Sequence, residues 1–153
     1  MYIIAHRGNL NGPNKETENS PTQIELCLSK GYHCEIDVWF MNGKWWLGHD
    51  EPQYEIPLSF IIDNVAFLWC HCKHLDSFQR LLKIKDVNCF YHNTDDYVLT
   101  SHGYIWIYPG KIVPDNDGIV VMPEWNYELK YDRNVVRGIC TDYVENVGIF
   151  FYN

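Results

Sequence analysis

The chain lacks an excess of positive charge, a long apolar run and any repeated or low-complexity segment. It has 153 residues with 12 Lys and Arg against 20 Asp and Glu, which gives a formal net charge of −8. Because phosphate backbones attract basic surfaces, this balance argues against a nucleic-acid partner. No apolar stretch reaches the roughly 18 residues of a membrane-spanning helix, so we expect no stable membrane insertion. The apolar start, MYIIA, is too short for a secretory signal.

The composition is that of a folded domain. Apolar residues make up 46% of the chain and aromatic residues 16%, so disorder is excluded, and we expect residues 1–153 to form a single domain. Most of the six cysteines lie in apolar runs, where cysteine behaves as a small buried hydrophobe. These are Cys34, Cys70, Cys72, Cys89 and Cys140. We therefore predict reduced thiols and a cytoplasmic protein; the sequence gives no indication of the oligomeric state.

Apolar patterns predict strands that alternate with helices in the first half and follow one another closely in the second. Pro21 is typical of a first helical position, with Ser20 as the N-cap and Gly31 ending the helix. Further helices are predicted at 57–63 and 75–84. The predicted strands cover 2–5, 34–40, 45–48, 66–70, 88–92, 104–108, 118–122 and 138–140. Alternation of this kind favours a parallel sheet, open or closed into a barrel.

Chain length limits the kind of barrel that is possible. A complete eight-fold barrel takes about 250 residues, and about 200 is near the lower limit. The first two strand units use most of the first 65 residues, so too few remain for six more units with ordinary helices. We expect shortened or missing helices in the second half, and a barrel of seven strands is an alternative to one of eight.

Two carboxylates on the second predicted strand indicate a metal site. Glu35 and Asp37 are two residues apart, so they share one side of the strand. Buried carboxylates are costly unless they are paired or bind a metal, and an internal salt bridge remains the simpler alternative. Two hard oxygen donors on one face suit Mg²⁺ or Ca²⁺.

Histidines and basic residues follow several of the predicted strands. His6 and His49 could act as general acid and base on opposite sides of a phosphorus atom. Arg7 offers a planar fork for phosphate oxygens, and Gly8 allows a tight turn beside them. In a parallel α/β fold these groups gather at the carboxyl ends of the strands.

In order along the chain, these motifs resemble the glycerophosphodiester phosphodiesterases, which belong to the phosphatidylinositol-phospholipase-like barrels. The motifs are HRG at 6–8, ENS at 18–20, EIDVW at 35–39, HD at 49–50 and ICTDY at 139–143. The resemblance implies an α/β fold that is an abridged TIM-like (β/α) barrel with shortened or missing helices in the second half. It also implies a divalent metal on Glu35 and Asp37, and catalysis by His6, His49 and Arg7.

The resemblance also assigns supporting residues. Lys73 matches a lysine that would contact the substrate phosphate together with Arg7. The family places a glutamate two residues before that lysine as a third metal ligand, and this chain has His71 there, so a divalent ion other than Mg²⁺ or Ca²⁺ becomes possible. The residues expected to organise the site from behind are Glu18, Asn19 and Asp50.

The sequence therefore predicts a metal-dependent phosphodiesterase acting on a small glycerophosphodiester-like substrate by histidine acid–base catalysis. The alternatives are a non-catalytic phosphate- or ligand-binding member of the same fold, or a lysophospholipid-specific enzyme. Trp39 and Trp106 could line the alcohol side of the pocket, and Asp142 could orient a catalytic group. A structural zinc site in the segment Cys70–His74 is disfavoured because alternate strand residues face opposite ways.

Overall fold

A computed structural model describes residues 1–113 and 117–152 and places ten strands in one mixed sheet. The strands are β1 (Tyr2–His6), β2 (His33–Met41), β3 (Lys44–Leu47), β4 (Tyr54–Ile56), β5 (Leu68–Cys72), β6 (Asn88–Phe90), β7 (Tyr97–Leu99), β8 (Ile105–Ile107), β9 (Gly118–Val121) and β10 (Gly138–Thr141). The helices are α1 (Pro21–Ser29), α2 (Leu58–Ile62), α3 (Leu75–Leu81) and two 3-10 helices, Pro123–Asn126 and Val144–Phe150. Ser20 caps α1 as predicted, because its side chain accepts a hydrogen bond from the Gln23 amide.

The sheet runs in the order β4-β3-β2-β1-β10-β9-β8-β7, and β5 pairs with β2 and β6 outside this path. The long strand β2 makes this branch possible. Its residues Cys34 to Val38 pair in parallel with β5, whereas Val38 to Met41 pair antiparallel with β3. The other edge of β2 pairs in parallel with β1. Strand β2 is therefore surrounded by other strands along most of its length.

Alternation along the strands separates two chemically different faces. Cys34, Ile36 and Val38 belong to a buried apolar cluster that includes Ile24 of α1 and Leu81 of α3. The residues between them on β2, Glu35 and Asp37, point to the concave face. A second apolar cluster forms the floor of that face, and it contains Ile4, Trp69, Phe90, Trp106, Ile119 and Cys140. The helices therefore cover one face while the polar groups collect on the other.

The predicted abridged TIM-like (β/α) barrel is wrong. The sheet is a curled half-barrel of mixed strands, with 21% helix and 30% strand, and helices do not alternate with strands throughout. Sequence patterns missed β4 and β7, which join the sheet through antiparallel pairings. The cause is the length of the connections: residues 122–137, between β9 and β10, hold only a four-residue 3-10 helix. The connections on either side of β7, residues 91–96 and 100–104, have six and five residues, so a helix of ordinary length, about 11 residues, does not fit in either.

Within residues 1–113 and 117–152, no helix combines the length and the apolar character needed to cross a membrane.

Candidate functional site

Strand register brings the predicted polar residues to one place. In the parallel pairing of β1 with β2, His6 lies beside Glu35, and in the pairing of β2 with β5, Asp37 lies beside His71. Neighbouring strands are about 4.8 Å apart, so these four side chains project side by side from the concave face. Arg7 follows β1 in a left-handed conformation, with φ 54°, and its backbone amide donates a hydrogen bond to Glu35 Oε2 at 3.1 Å.

Asp37 is the centre of this cluster. Its side chain is 1% exposed, and its oxygens lie 3.2 Å from Arg7 Nε, 3.2 Å from His49 Nδ1 and 3.2 Å from Lys73 Nζ. Burial alone would raise the pKa of the Asp37 carboxyl, but hydrogen bonds from His49 and His71 outweigh it and hold that pKa well below its usual range. Asp37 is therefore an ionised group whose charge is shared among several cations.

Glu35 differs from Asp37 although both are buried on the same strand face. It is 2% exposed, and within residues 1–113 and 117–152 its carboxylate accepts one hydrogen bond, from the backbone amide of Arg7. Burial and the neighbouring charge of Asp37 raise the pKa of the Glu35 carboxyl. A buried carboxylate with so few partners gains from a nearby cation.

Glu35, Asp37 and His71 form a group that could hold a metal ion. One ligand atom from each lies within 4.8 Å of the others. His71 Nδ1 is 3.1 Å from Asp37 Oδ1 and 3.7 Å from Glu35 Oε1. Asp37 Oδ1 is buried and also lies 3.2 Å from Lys73 Nζ. A buried, ionised oxygen that converges with two further ligand atoms fits a cation-binding position.

A further pairing of a histidine with a carboxylate involves His6 and Asp142. His6 Nδ1 is 2.9 Å from Asp142 Oδ1, and Asn9 donates its side-chain amide to the same oxygen at 2.8 Å. Burial lowers the pKa of His6, but the hydrogen bond with Asp142 and the charge of Glu35 outweigh it, so the pKa of His6 is raised. The pKa of Asp142 is lowered because its bonds to His6 and Asn9 outweigh the effect of burial.

Glu124 supports Asp142 from behind. Its two carboxylate oxygens accept hydrogen bonds from the Thr141 hydroxyl and from the Asp142 amide, both at 2.8 Å. Glu124 is 9% exposed, and burial raises its pKa. These bonds connect the 3-10 helix Pro123–Asn126 to the end of β10 and fix the Asp142 carboxylate beneath His6.

A cavity of about 240 Å³ opens above these groups. We call its polar lining residues and the charged residues in contact with them the polar wall, and its apolar lining residues the apolar wall. The polar wall contains His6, Arg7, Glu35, His49 and His71 at the cavity surface, with Asp37 and Lys73 directly in contact with them. The apolar wall contains Val98, Trp106, Tyr108, Val121, Met122 and Trp125, and His92 and Asp95 also line the cavity.

The structure brings most of the predicted site residues together. His6, Arg7, Glu35, Asp37, His49, His71 and Lys73 all belong to the polar wall. Glu18 lies 3.3 Å from Arg7 Nη1, and the Asn19 side-chain amide donates to Asp37 at 2.9 Å. Asp50 differs, because its side chain is 91% exposed and 3.6 Å from His49 Nε2. Trp106 lines the cavity, whereas Trp39 donates its indole N–H to Gly48 outside it.

Three residues of the site were missed: Asn9, His92 and Glu124. His92 stacks on His71 with ring centroids 4.7 Å apart, and burial together with the charges of His71 and Lys73 lowers its pKa to about 4. Alternation from Phe90 could have placed His92 on the concave face. Asn9 and Glu124 lie in loop and 3-10 segments without a periodic signal.

No family model matches the chain, no curated protein shows significant similarity to it, and no solved structure matches it. Its function therefore has to be inferred from the chemistry of the polar wall and of the cavity.

Proposed function

We propose that the protein is a metal-dependent phosphodiesterase that acts on a glycerophosphodiester-like substrate, as its motifs suggest. The main support is that two imidazoles, each with Nδ1 beside a buried carboxylate, face one cavity. His6 is paired with Asp142 at 2.9 Å and His49 with Asp37 at 3.2 Å. Each pairing places Nδ1 against a buried carboxylate, which is the arrangement that orients a catalytic histidine. At His49 the other ring nitrogen, Nε2, lies 3.6 Å from the 91% exposed carboxylate of Asp50, and a substrate would displace that side chain.

Charge favours a phosphate at this position. Arg7 and Lys73 supply two positive charges beside Asp37, and their side chains are 17% and 15% exposed. Guanidinium and ammonium groups held in a partly buried site bind phosphate oxygens strongly. The net charge of −8 does not decide the matter, because a cavity with low-dielectric walls is governed by its nearest charges.

Glu35, Asp37 and His71 would hold the divalent ion. When bound, the ion neutralises phosphate charge and lowers the pKa of a hydroxyl that attacks phosphorus. The two carboxylates favour Mg²⁺ or Ca²⁺, whereas the imidazole of His71 favours another divalent ion. The convergence of one ligand atom from each of these three residues within 4.8 Å is the observation that best supports an ion here.

The two histidines would exchange protons during transfer. Nε2 of one imidazole takes the proton of a substrate hydroxyl that lies next to the phosphate, and the oxygen of that hydroxyl forms a bond to phosphorus. The other gives a proton to the leaving alcohol oxygen while that P–O bond breaks. The products of this step are a cyclic phosphate and a free alcohol. Water then opens the cyclic phosphate, with the acid and base roles of the two histidines exchanged. Proton transfers of this kind contribute about 10²- to 10⁴-fold each.

A second candidate is a non-catalytic phosphate- or ligand-binding protein. It is favoured by the existing ion pairs, since Arg7 and Lys73 both already contact Asp37 and could hold its charge without a metal. Such a protein would bind a phosphodiester without turning it over.

A third candidate keeps the chemistry and changes the substrate to a lysophospholipid. It is favoured by the apolar wall, where Trp106, Tyr108 and Trp125 line the same cavity as the polar wall. Those aromatic side chains would contact an acyl-bearing alcohol.

We further propose that the protein functions in the cytoplasm. All six cysteines are buried free thiols. Burial raises the pKa of Cys70 and Cys140, so these thiols are poorly reactive, as suits a structural role in a reducing compartment.

A panel of glycerophosphodiesters and lysophospholipids, followed by phosphorus NMR, tests these candidates. We expect wild-type turnover with a cyclic phosphate intermediate and a loss of about 10³-fold or more in His6→Ala and in His49→Ala. His102→Ala is the matched control, because His102 is exposed and lines a different cavity. Near-wild-type rates in either active-site variant would refute the assignment. Binding without turnover would support the second candidate, and a preference for acyl-bearing substrates would support the third.

A further inference from the structure

We infer that the metal site prefers a borderline first-row transition ion over Mg²⁺ and Ca²⁺. Among Zn²⁺, Mn²⁺, Mg²⁺ and Ca²⁺, Zn²⁺ should bind most tightly. This inference depends on the metal site of the proposed function. It follows from one ligand of the group: His71 contributes an imidazole beside the carboxylates of Glu35 and Asp37.

The imidazole of His71 is held rigidly toward the two carboxylates. Its Nδ1 lies 3.1 Å from Asp37 Oδ1, and its side chain is only 15% exposed. The ring stacks on Phe90 at 5.1 Å with an interplanar angle of 4°, and on His92 at 4.7 Å with an angle of 9°. Contacts on the ring face and the register pairing with Asp37 oppose rotation away from the site.

Imidazole nitrogen and carboxylate oxygen select different ions. Imidazole suits Zn²⁺ and its neighbours, whereas Mg²⁺ and Ca²⁺ take oxygen ligands. For mixed nitrogen and oxygen sites, affinity rises from Mn²⁺ toward the later ions of the first row. Replacing an oxygen ligand by a fixed imidazole therefore shifts the order of affinities toward Zn²⁺.

The two cations of the polar wall strengthen this preference. Arg7 Nε and Lys73 Nζ each lie 3.2 Å from an oxygen of Asp37, so part of the carboxylate charge is already neutralised. Mg²⁺ and Ca²⁺ depend almost entirely on that charge. A transition ion also gains a bond to the imidazole nitrogen, which the neighbouring cations weaken less.

Metal binding without substrate tests the inference. Dissociation constants for Zn²⁺, Mn²⁺, Mg²⁺ and Ca²⁺ would be measured by competition titration on the full chain and on His71→Glu. We expect wild type to bind one Zn²⁺ per chain more tightly than Mg²⁺. The ratio of Zn²⁺ to Mg²⁺ affinity should fall on the order of tenfold or more in His71→Glu, since even changes behind a ligand cost about 10- to 100-fold. His102→Glu makes the same chemical change at an exposed site and should leave the ratio unchanged.

The Co²⁺ absorption spectrum locates the ion. Because the chain has six thiols, a strong sulfur-to-cobalt charge-transfer band would place the ion on cysteine and overturn the inference. His71→Asn, checked by circular dichroism, replaces His71→Glu if the latter fails to fold, and it should lose Zn²⁺ affinity and retain weak Mg²⁺ affinity.

Three further results would overturn the inference: Mg²⁺ binding as tightly as Zn²⁺, an unchanged ratio in the His71 variant, or no ion bound at all. The outcomes for the proposed function are separate. If the ratio behaves as expected but no diester is turned over, the phosphodiesterase fails and the metal preference stands. If turnover depends on His6 and His49 but Zn²⁺ binds no more tightly than Mg²⁺, the phosphodiesterase stands and the metal preference fails.

Discussion

The polar wall and the apolar wall of the cavity are built on opposite principles. On the polar wall, the buried charge of Asp37 meets several partners, and its oxygens lie within about 3.2 Å of Arg7, His49 and Lys73. On the apolar wall, side chains are placed by packing, and exposure ranges from 6% for Trp106 to 64% for Trp125. This difference is what the proposed function requires, since chemistry at the polar wall would tolerate little change, whereas the apolar wall would set which alcohol is accepted.

The strongest way to break the polar wall is Asp37→Asn. This change removes the charge shared by Arg7 and Lys73 and leaves both cations poorly compensated. We expect turnover to fall about 10³-fold or more and unfolding to become easier by about 3 to 5 kcal/mol. Phosphodiester turnover and thermal unfolding measure the two effects. Asp63→Asn, at an exposed position, is the control; a variant that kept both wild-type rate and stability would disprove the central place given to Asp37.

A less direct change, Glu124→Gln, tests whether the support behind the polar wall matters. The carboxylate of Glu124 accepts bonds from Thr141 and from the Asp142 amide, and an amide can accept with only one of its two atoms. Asp142 would shift beneath His6, so we expect kcat to fall about 10- to 100-fold while KM and metal affinity stay unchanged. Steady-state kinetics separate these quantities. Glu128→Gln, at an exposed site, should behave like wild type.

A pure KM effect in Glu124→Gln would contradict this role, because Glu124 is not among the residues that line the cavity. A fall in metal affinity would contradict it too, since Glu124 lies outside the group of Glu35, Asp37 and His71.

The His6–Asp142 pair also predicts how stability depends on pH. The raised pKa of His6 means that its contribution is fully present below about pH 6.5 and is lost as pH rises through the folded-state value. The lowered pKa of Asp142 means that its contribution is present above about pH 3.9 and is lost as pH falls through its folded-state value. The pair should therefore stabilise the fold most between those limits, by about 1 to 2 kcal/mol.

Thermal unfolding across pH 3 to 9 measures this window, with about 2 to 4 °C per kcal/mol expected for a chain of this size. Asp142→Asn should remove most of the loss of stability that wild type shows as pH rises above about 6.5. If the variant and wild type differ equally at every pH, the ion pair has no part in folding stability.

How much the sequence could predict differs between the strands and the segments that connect them. Period-two alternation placed Glu35 and Asp37 on one face, and the meeting of strand ends placed His6 and Lys73 beside them, because strands impose regular spacing. Glu124 and Asn9 could not be found in this way, since no periodic pattern connects a loop to a strand far along the chain.

The barrel prediction failed for a related reason: local patterns give strands, but the antiparallel addition of β7 to β8 depends on a connection too short for a helix.

The apolar wall should show the smallest effect, in Trp125→Ala. Trp125 lines the cavity and is 64% exposed, so its loss should hardly change thermal unfolding. For a phosphodiester with an aryl or acyl-bearing alcohol we expect KM to rise roughly two- to fivefold with kcat unchanged, because a partly exposed aromatic contact contributes about 0.5 to 1 kcal/mol. A small glycerophosphodiester should show no change. Tyr152→Ala removes an aromatic ring that is 67% exposed and lies outside the cavity lining, and it should affect neither substrate. Equal losses for both substrates in Trp125→Ala would mean that this wall supports the site as a whole, and the division between a chemical wall and a selective wall would fail.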